Sequence, residues 1–470
     1  MTDAPKNIIG SGGPPSPPPP PQPTREPDTL HSRQFATFLD LVSEGEIEGF
    51  ATASKEGRTK GTTAYNNAAL KDVFLNDTPV LRASADSTDP QTVDFNFQDV
   101  KFTPRFGTGD QTKIPGIESS VSTTSVGVEV TASTPVTRQI TNTNVDAVRV
   151  SVTFPQLQKA TDAGDLLGSS VQLKIAVQYN SGGFTDVITD TIRGRSGDAY
   201  QKDYRVDITG SFPVDIRVSR VTADSTDTNL RDSFQWTSFG EIIDDASTYL
   251  NSAYSSIRLD SMQFSSIPAR KFRIRGIKVR IPGAGASSSG TPTVVTNQAQ
   301  ATALGLGTVS SFGFIHYPDG YIFNGVMGAA TWCSDPAMVL LDLLTTSRYG
   351  FGDHITDSSL DLFSFVNASK FANTLVDDGA GALEPRFSCN VNIQSPKEAF
   401  ELINDLSGVM RCMPIWSAGT ITITQDKPTD PSYLFNLSNV TEEGFNYSGS
   451  SLKTRHSVVS VSYFNMDSQE

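Results

Sequence analysis

Cysteine and histidine are scarce in this chain of 470 residues, and their scarcity removes several classes of site. The three cysteines, Cys333, Cys389 and Cys412, are far apart in sequence, and the four histidines show no metal-ligand spacing. Disulfide frameworks and zinc sites need paired or clustered ligands. We therefore predict no metal site. The apolar neighbours of each thiol, in TWCS, FSCNV and MRCMPI, predict small buried core residues.

Long apolar runs and an excess of positive charge are also missing. No run approaches the roughly 20 apolar residues that a membrane-spanning helix needs. The N-terminus lacks the basic and apolar regions of a secretory signal, which predicts synthesis in the cytoplasm. The formal net charge is −14. This balance opposes nonspecific nucleic-acid binding, which requires a basic surface to neutralise phosphates.

Motifs for catalysis or cofactor binding are not evident either. The acidic cluster Asp40, Glu44, Glu46 and Glu48 alternates with Gly and Ile, which is typical of an exposed turn before a strand. A calcium-binding loop would place Asp or Asn at alternating positions. The segment GLGTVSSFG lacks the Lys-Ser/Thr pair of a phosphate-binding loop. We assign no catalytic, cofactor-binding or metal-binding residues.

Short alternating segments at regular spacing fill the middle of the chain. They run from VGVEVTA, which begins at residue 126, to KFRIRGIKV near residue 281, and turns such as NSGG separate them. This spacing predicts an immunoglobulin-like or fibronectin-like β-sandwich over residues 126–281. Phe234 and Trp236 are assigned to its core or to a sheet face. Exposed aromatics on a sandwich would instead favour a sugar-binding module, and that alternative stays open.

A capped helix is predicted after residue 394. Ser395 would cap a helix that begins at Pro396, and Glu398 would close a capping box. The residues expected on one apolar helical face, with Leu402 and Val409 beside it, are Phe400, Ile403, Leu406 and Met410.

Further elements are predicted on both sides of this helix. Asp335 followed by Pro336 predicts the start of an earlier helix. After the capped helix the apolar period changes to two, which predicts a hairpin across a Ser-Ala-Gly turn and a last strand over residues 456–464. Strands interrupted by helices indicate an α+β domain. The apolar residues of the hairpin are Met413, Ile415, Ile421 and Ile423.

The run RCMPIW at residues 411–416, followed by a short turn, an alternating strand and QDKP, carries a family resemblance. It resembles the hub region of the tail tip attachment proteins (host specificity protein J) of lambda-like long-tailed phages. Further segments are similar in order and spacing, among them LDLVSEGEIEGF, QWTSFGEIID and YPDGYIFNGVM. Weak motifs in the right order over most of a chain support a family better than one motif does.

The resemblance and the strand pattern together imply a mainly β protein with α+β hub domains. Residues 1–30, rich in Gly, Ser and Pro, are predicted to be a disordered arm, and docking of this arm onto a neighbouring protein is left open. A split β-rich hub domain would begin with residues 31–125 and carry the sandwich, residues 126–281, as an insertion. Residues 282–330 would be a linker and return to the hub. Residues 331–470 would form a second α+β hub domain, which is expected to be incomplete.

The resemblance implies a structural protein of the virion, at the distal end of the phage tail, and not an enzyme. It implies a homotrimeric ring that closes the tail tube and gates DNA ejection during host attachment. The implied partners are the adjoining tail tip ring protein, the tape-measure protein in the lumen, and genomic DNA in transit only. Acidic residues on such a lumen would let DNA slide, although solubility also explains the charge.

Receptor binding would belong to distal regions absent from this chain. The chain is therefore expected to be a fragment, or one piece of a split tip protein. A glycan-binding or glycan-hydrolysing tail module is the alternative function.

Overall fold

The computed structural model of the protein describes residues 23–286, 290–395, 397–417, 419–458 and 460. Strands dominate this part of the chain, and the α-helices lie near its beginning and after residue 297. The prediction of a mainly β protein is confirmed. No helix in the described ranges combines the length and the apolar character that crossing a membrane requires.

The first part of the chain forms a small α+β body. Its core includes Phe50, Tyr65 and Leu75, all almost completely buried. Thr62 caps the second helix, because its hydroxyl accepts a hydrogen bond from the Tyr65 amide. The elements are β1 (Phe35–Glu44), β2 (Ile47–Phe50), α1 (Ala51–Lys55), α2 (Thr63–Ala69), β3 (Val73–Leu75), β4 (Thr78–Pro79) and β5 (Lys101–Phe106).

A β-sandwich of two four-stranded sheets follows. Its strands are β6 (Glu118–Glu129), β7 (Val136–Ile140), β8 (Ala147–Phe154), β9 (Gln158–Ala160), β10 (Leu166–Leu167), β11 (Ser169–Tyr179), β12 (Phe184–Gly194), β13 (Tyr200–Asp207), β14 (Val214–Arg220), β15 (Leu230–Arg231) and β16 (Gln235–Asp244). One sheet has the order β12-β11-β14-β7 and the other β13-β8-β16-β6, while β9, β10 and β15 form a small third sheet. Phe234 and Trp236 are buried in the core between the two large sheets, as predicted.

The sandwich interrupts a sheet of the first body. The chain returns through β17 (Ser252–Asp260), which pairs with both β1 and β5. Next come β18 (Arg270–Phe272), paired with β3, and β19 (Ile274–Pro282), paired with β2. The predicted sandwich range, residues 126–281, is therefore wrong at both ends. Residues 118–125 belong to the edge strand β6, whereas β17 and β19 belong to the first body. Alternation identifies a half-buried strand, but tertiary pairing decides which sheet it joins.

The segment after β19 is more ordered than the predicted linker over residues 282–330. It contains β20 (Thr293–Val295), α3 (Gln298–Ala303), β21 (Phe314–His316) and β22 (Met327–Trp332). β20 pairs with β21, and β22 pairs with β19. Val295, Ala301 and Phe314 are buried together in a small core. So few apolar residues, spread among Gly, Ser and Thr, leave little periodicity for sequence reasoning to detect.

A second α+β body completes the described chain. Asp335 caps its first helix and Pro336 is the first helical residue, as predicted. Leu340, Phe365 and Met410 are buried in its core. The elements are α4 (Pro336–Thr345), α5 (Leu362–Ala372), β23 (Leu375–Asp377), β24 (Leu383–Pro385), α6 (Ala399–Val409), β25 (Cys412–Ser417) and β26 (Thr420–Gln425).

The capped helix begins later than predicted. α6 starts at Ala399 with Glu398 at the N-cap, and no side chain caps it, so the Ser395 capping box is wrong. The predicted first residue, Pro396, lies outside the described residues. Leu406 and Met410 are buried as expected, but Phe400 is 74% exposed. The fully buried residues of α6 lie in its C-terminal half, Leu402 and Ile403 pack against the same core while partly exposed, and residues 399–401 are exposed.

The predicted hairpin is present as β25 and β26, but its faces differ from the prediction. Pro414 pairs with the buried Ile423, so the alternate residues Met413 and Ile415 face outward and are exposed. The last strand, predicted over residues 456–464, is absent from its described residues, 456–458 and 460. Its other residues lie outside the described ranges.

Residues 1–22 of the predicted arm also lie outside the described residues. Residues 23–30 of that arm are held against the sandwich. The Glu26 amide donates to the Leu166 carbonyl at 3.0 Å, and the Thr29 amide donates to the Arg195 carbonyl at 2.9 Å. The prediction of disorder is wrong for this part, because these backbone groups have partners on the sandwich that composition does not reveal.

Candidate functional site

The acidic cluster near the start of the fold forms ion pairs with basic residues distant in sequence. Arg270 donates two hydrogen bonds to the Asp40 carboxylate, at 2.7 and 2.8 Å. Lys278 lies 2.6 Å from a Glu46 oxygen and 3.9 Å from a Glu48 oxygen. These pairs tie β1 and β2 to β18 and β19. The geometry supports a structural role for the cluster.

Glu44 connects the first body to the second. The Arg348 Nε atom donates to Glu44 Oε2 at 2.7 Å, and its Nη2 atom donates to Ser252 Oγ at the same distance. Gly45 follows with a φ of +91°, and a Cβ atom there would lie 2.9 Å from the Tyr349 ring. A glycine is needed at this position because a larger residue would meet both backbone strain and a clash.

Asp335 is a buried carboxylate, as many catalytic acids are, but both of its oxygens accept hydrogen bonds from the protein. Oδ1 accepts from the amides of Ala337 and Met338, at 2.7 and 2.9 Å. Oδ2 accepts from the Ser369 hydroxyl and the Asn373 side-chain amide. Burial raises the pKa of Asp335, and these four donors oppose that effect. The residue ties the start of α4 to α5.

The thiols are embedded in the second body. Cys333 and Cys389 are buried, and Cys412 is half-buried; all three are free. Desolvation raises the pKa of Cys389 to about 11 and that of Cys412 to about 11. In the part of the chain that the structure describes, no group of three or more His, Cys, Asp or Glu is placed to hold a metal ion.

Several apolar side chains of the second body are exposed on two elements that contact each other. They are Phe400 on α6, Met413 and Ile415 on one face of β25, and Trp416 on its other face, and we call this set the α6–hairpin surface. Phe400 is 74% exposed and Trp416 is 70% exposed. Clustered exposed apolar side chains mark interaction surfaces. Sequence reasoning missed this surface because it assigned Phe400, Met413 and Ile415 to the core. The position of Pro414 between two outward residues was the available signal.

The sandwich aromatics do not support sugar stacking. Trp236 is fully buried, and its indole nitrogen donates to the Ser238 carbonyl at 2.8 Å. Phe234 is buried too, against Phe154, with ring centroids 5.2 Å apart. Neither ring has a face free for a glycan, so the observation that would have favoured a sugar-binding module does not hold for these two residues.

Comparison with solved structures adds no support for a function. A structure titled "CBM4 structure and function" is 12% identical, with 38% of this chain and 95% of that chain covered and a TM-score of 0.13. A crystal structure of an infectious bursal disease virus VP2 subviral particle is 14% identical, with 51% of this chain and 62% of that chain covered and a TM-score of 0.15. At TM-scores this low, neither structure supports an inference about the fold or function of this chain.

Sequence comparison is more informative. A family model described as the FNIII-A domain of Tip attachment protein J matches residues 120–245, which form the sandwich. Tip attachment protein J of Escherichia phage SECphi27 is 29% identical over 396 residues, which cover 84% of this chain and 30% of that protein. Tip attachment protein J of Escherichia phage SECphi4 is 29% identical over 446 residues, which cover 94% of this chain and 35% of that protein.

The chain thus spans about a third of the length of the curated relatives it matches. Their names are those of attachment proteins and not of enzymes. The alignments run far beyond the sandwich, so the similarity includes the two α+β bodies as well as the inserted domain. The resemblance expected from the sequence motifs is confirmed: over most of its length the chain is similar to Tip attachment protein J.

Proposed function

We propose that this chain is a structural component of a phage tail tip that acts in attachment to the host. The observation that carries the proposal is the extent of the match, 84% and 94% of the chain, to two proteins named for tip attachment. The order of the elements supports it. The domain matched by the family model lies between β5 and β17, two strands that pair with each other.

In this proposal the two α+β bodies are hub domains, and three copies of the chain form a ring at the distal end of the tail tube. The ring closes the tube and opens when DNA is ejected. The adjoining ring protein and the tape-measure protein are its neighbours. The net charge of −14 suits a lumen through which DNA passes without binding, because carboxylates and phosphates repel each other.

The internal contacts support a mechanical role. The Asp40, Glu46 and Asp335 carboxylates are engaged in ion pairs or hydrogen bonds that join elements of the fold. The exposed apolar side chains of the α6–hairpin surface suit packing against another protein in an assembly. A protein of this kind works through the rigidity of its parts and the contacts between them.

Labelling of intact virions tests the location. An antibody raised against the native sandwich and detected with gold particles is expected to mark the distal end of the tail. Antibody that has first been absorbed with the purified chain serves as the control and should leave the virions unmarked. Gold along the whole tail, or on the head, would contradict the proposal.

A further inference from the structure

The N-terminal strap, residues 23–34, crosses from one end of the sandwich to the first α+β body. At its beginning the Leu166 amide donates to the Thr24 carbonyl at 2.9 Å. At its end the Ser261 amide, just after β17, donates to the Gln34 carbonyl at 2.8 Å. Between these points the Gln201 amide donates to Ser32 Oγ at 2.9 Å. The strap is a third link between the two units, besides the chain connections at either end of the sandwich.

Arg195 is the centre of the site that holds the strap. It is only 2% exposed, although it lies at the end of a sandwich strand. Its Nη1 atom donates to Asp28 Oδ1 at 2.7 Å and to the Glu26 carbonyl at 2.8 Å. The Gly197 amide donates to the same Asp28 oxygen at 2.9 Å. A buried guanidinium needs such partners, because an unpaired buried charge is strongly unfavourable.

Glycines of the sandwich make room for the strap. A Cβ atom on Gly194 would lie 2.4 Å from the Thr29 hydroxyl oxygen, and one on Gly164 would lie 3.1 Å from the Pro23 side chain. One on Gly168 would lie 3.3 Å from a Glu26 carboxylate oxygen. At these positions the absence of a side chain on the sandwich leaves room for side chains of the strap, independently of the Arg195 contacts.

The strap is attached mainly by polar contacts, together with the half-buried Leu30, which packs against the sandwich core. All its residues are exposed except Asp28 and Leu30, which are intermediate. A cleft of about 670 Å³ remains between the strap and residues 168–170 and 193–195 of the sandwich. Hydrogen bonds and ion pairs at a partly solvated site contribute modestly, so such a segment can detach without unfolding the sandwich core.

We propose that the groove around Arg195 is a binding site for an extended acidic peptide, and that its occupant is residues 24–30 of the same chain. Bound there, the strap fixes the orientation of the sandwich relative to the first body. Once the strap is released, the chain connections before β6 and after β16 remain, and the sandwich can change its orientation. The inference concerns the isolated chain and does not depend on the proposed function.

The test compares Asp28→Ala with Asp162→Ala in the full chain. Asp162 is an exposed acid of the same sandwich, outside the groove. Hydrogen exchange of the Thr29 and Leu30 amides should be roughly tenfold faster or more in Asp28→Ala, since a hydrogen-bonded charge pair is lost. Exchange in β11 and β14 should stay unchanged, which separates strap release from unfolding.

Spin labels at Val187→Cys in the sandwich and Met262→Cys in the first body report orientation, since both positions are exposed. The distribution of distances between the labels should be narrow in the parent and in Asp162→Ala, and broader in Asp28→Ala. If the Thr29 and Leu30 amides exchange in Asp28→Ala at the rates of the parent protein, the groove around Arg195 is not what holds the strap. If these amides exchange faster but the distance distribution is unchanged, the strap does not fix the orientation of the sandwich.

Discussion

Arg220 and Asp232 form a buried ion pair in the sandwich. Arg220 Nη2 donates to Asp232 Oδ2 at 2.7 Å, and Nη1 donates to the Asp232 backbone carbonyl at 2.7 Å. Both side chains are nearly inaccessible, with 3% and 9% exposure. A pair of this kind connects β14 to the segment that leads into β16, and its loss leaves a charge that water cannot reach.

Asp232→Ala should therefore destabilise the sandwich by about 3 kcal/mol, the low end for a broken buried ion pair, because Arg220 loses its buried carboxylate and keeps only the half-exposed Asp224, 3.3 Å from Nε. Asp186→Ala is the matched control. It removes the partner of Lys174 from an ion pair at the surface, and should cost about 0–1 kcal/mol. Urea unfolding followed by tryptophan fluorescence measures both, since Trp236 lies in the sandwich core. Equal effects of the two substitutions would show that the Arg220 pair is not desolvated in solution.

The cysteines give a pH-dependent prediction. The pKa of Cys389 is raised to about 11 by burial, above an ordinary value near 8.5. The folded state therefore favours the neutral thiol. Its contribution to stability is complete below about pH 8.5 and is lost as the pH rises towards 11. The free energy of unfolding should fall over that window, and it should fall less in Cys389→Ala.

Thiol labelling provides the direct measurement. At pH 8 the native protein should react with Ellman's reagent far more slowly than the unfolded protein does, because thiolate is the reactive form and the thiols are buried or half-buried. Rapid reaction of all three thiols in the native protein would contradict the burial of Cys333 and Cys389.

Helix α6 carries both buried and exposed apolar side chains. Leu406 is 3% exposed and Phe400 is 74% exposed on the same helix. Leu406→Ala should cost about 2–5 kcal/mol, because it leaves a cavity against the core of the second body. Phe400→Ala should stay within about 0.5 kcal/mol in the isolated chain. Thermal unfolding of the two variants measures the difference. A large loss of stability in Phe400→Ala would mean that the first turn of α6 is packed in solution.

Helices and strands that are marked by neighbouring residues in the sequence were predictable. The pairing of strands with distant parts of the chain was not. Asp335 followed by Pro336 marks the start of α4 through cap chemistry that needs no other element. The strands between β7 and β16 were recognisable from their alternation. β17 shows the same alternation as a sandwich strand, yet it pairs with β1 and β5. No pattern within a strand encodes its partner when the partner is more than a hundred residues away.

The candidate surface was less predictable than the fold. A helical pattern places Phe400 and Leu406 on one apolar face, and only the extent of the neighbouring elements decides which of them is covered. Met413 and Ile415 look like core residues until the register of the hairpin aligns Pro414 with Ile423. The strap at Arg195 gave no sequence signal at all, because its contacts are made by backbone groups and by residues about 170 positions apart.

In the whole molecule the first α+β body carries the inserted sandwich, the second body follows it in the chain, and polar links join all three. Arg348 connects the second body to Glu44 and Ser252 of the first, and the strap connects the sandwich to the first. Similarity to Tip attachment protein J was predictable, because its motifs recur in order along most of the chain. The assembly into a ring is our proposal, and the exposed α6–hairpin surface is a candidate contact within it.

The most direct test of the central claim is a reconstruction, by electron cryomicroscopy, of the tail tip of virions that carry this protein. We predict three copies of the chain around the tube axis at the distal end, with the α+β bodies forming a closed ring and the sandwiches attached to it. A different number of copies, or density for the chain elsewhere than at the tip, would contradict it.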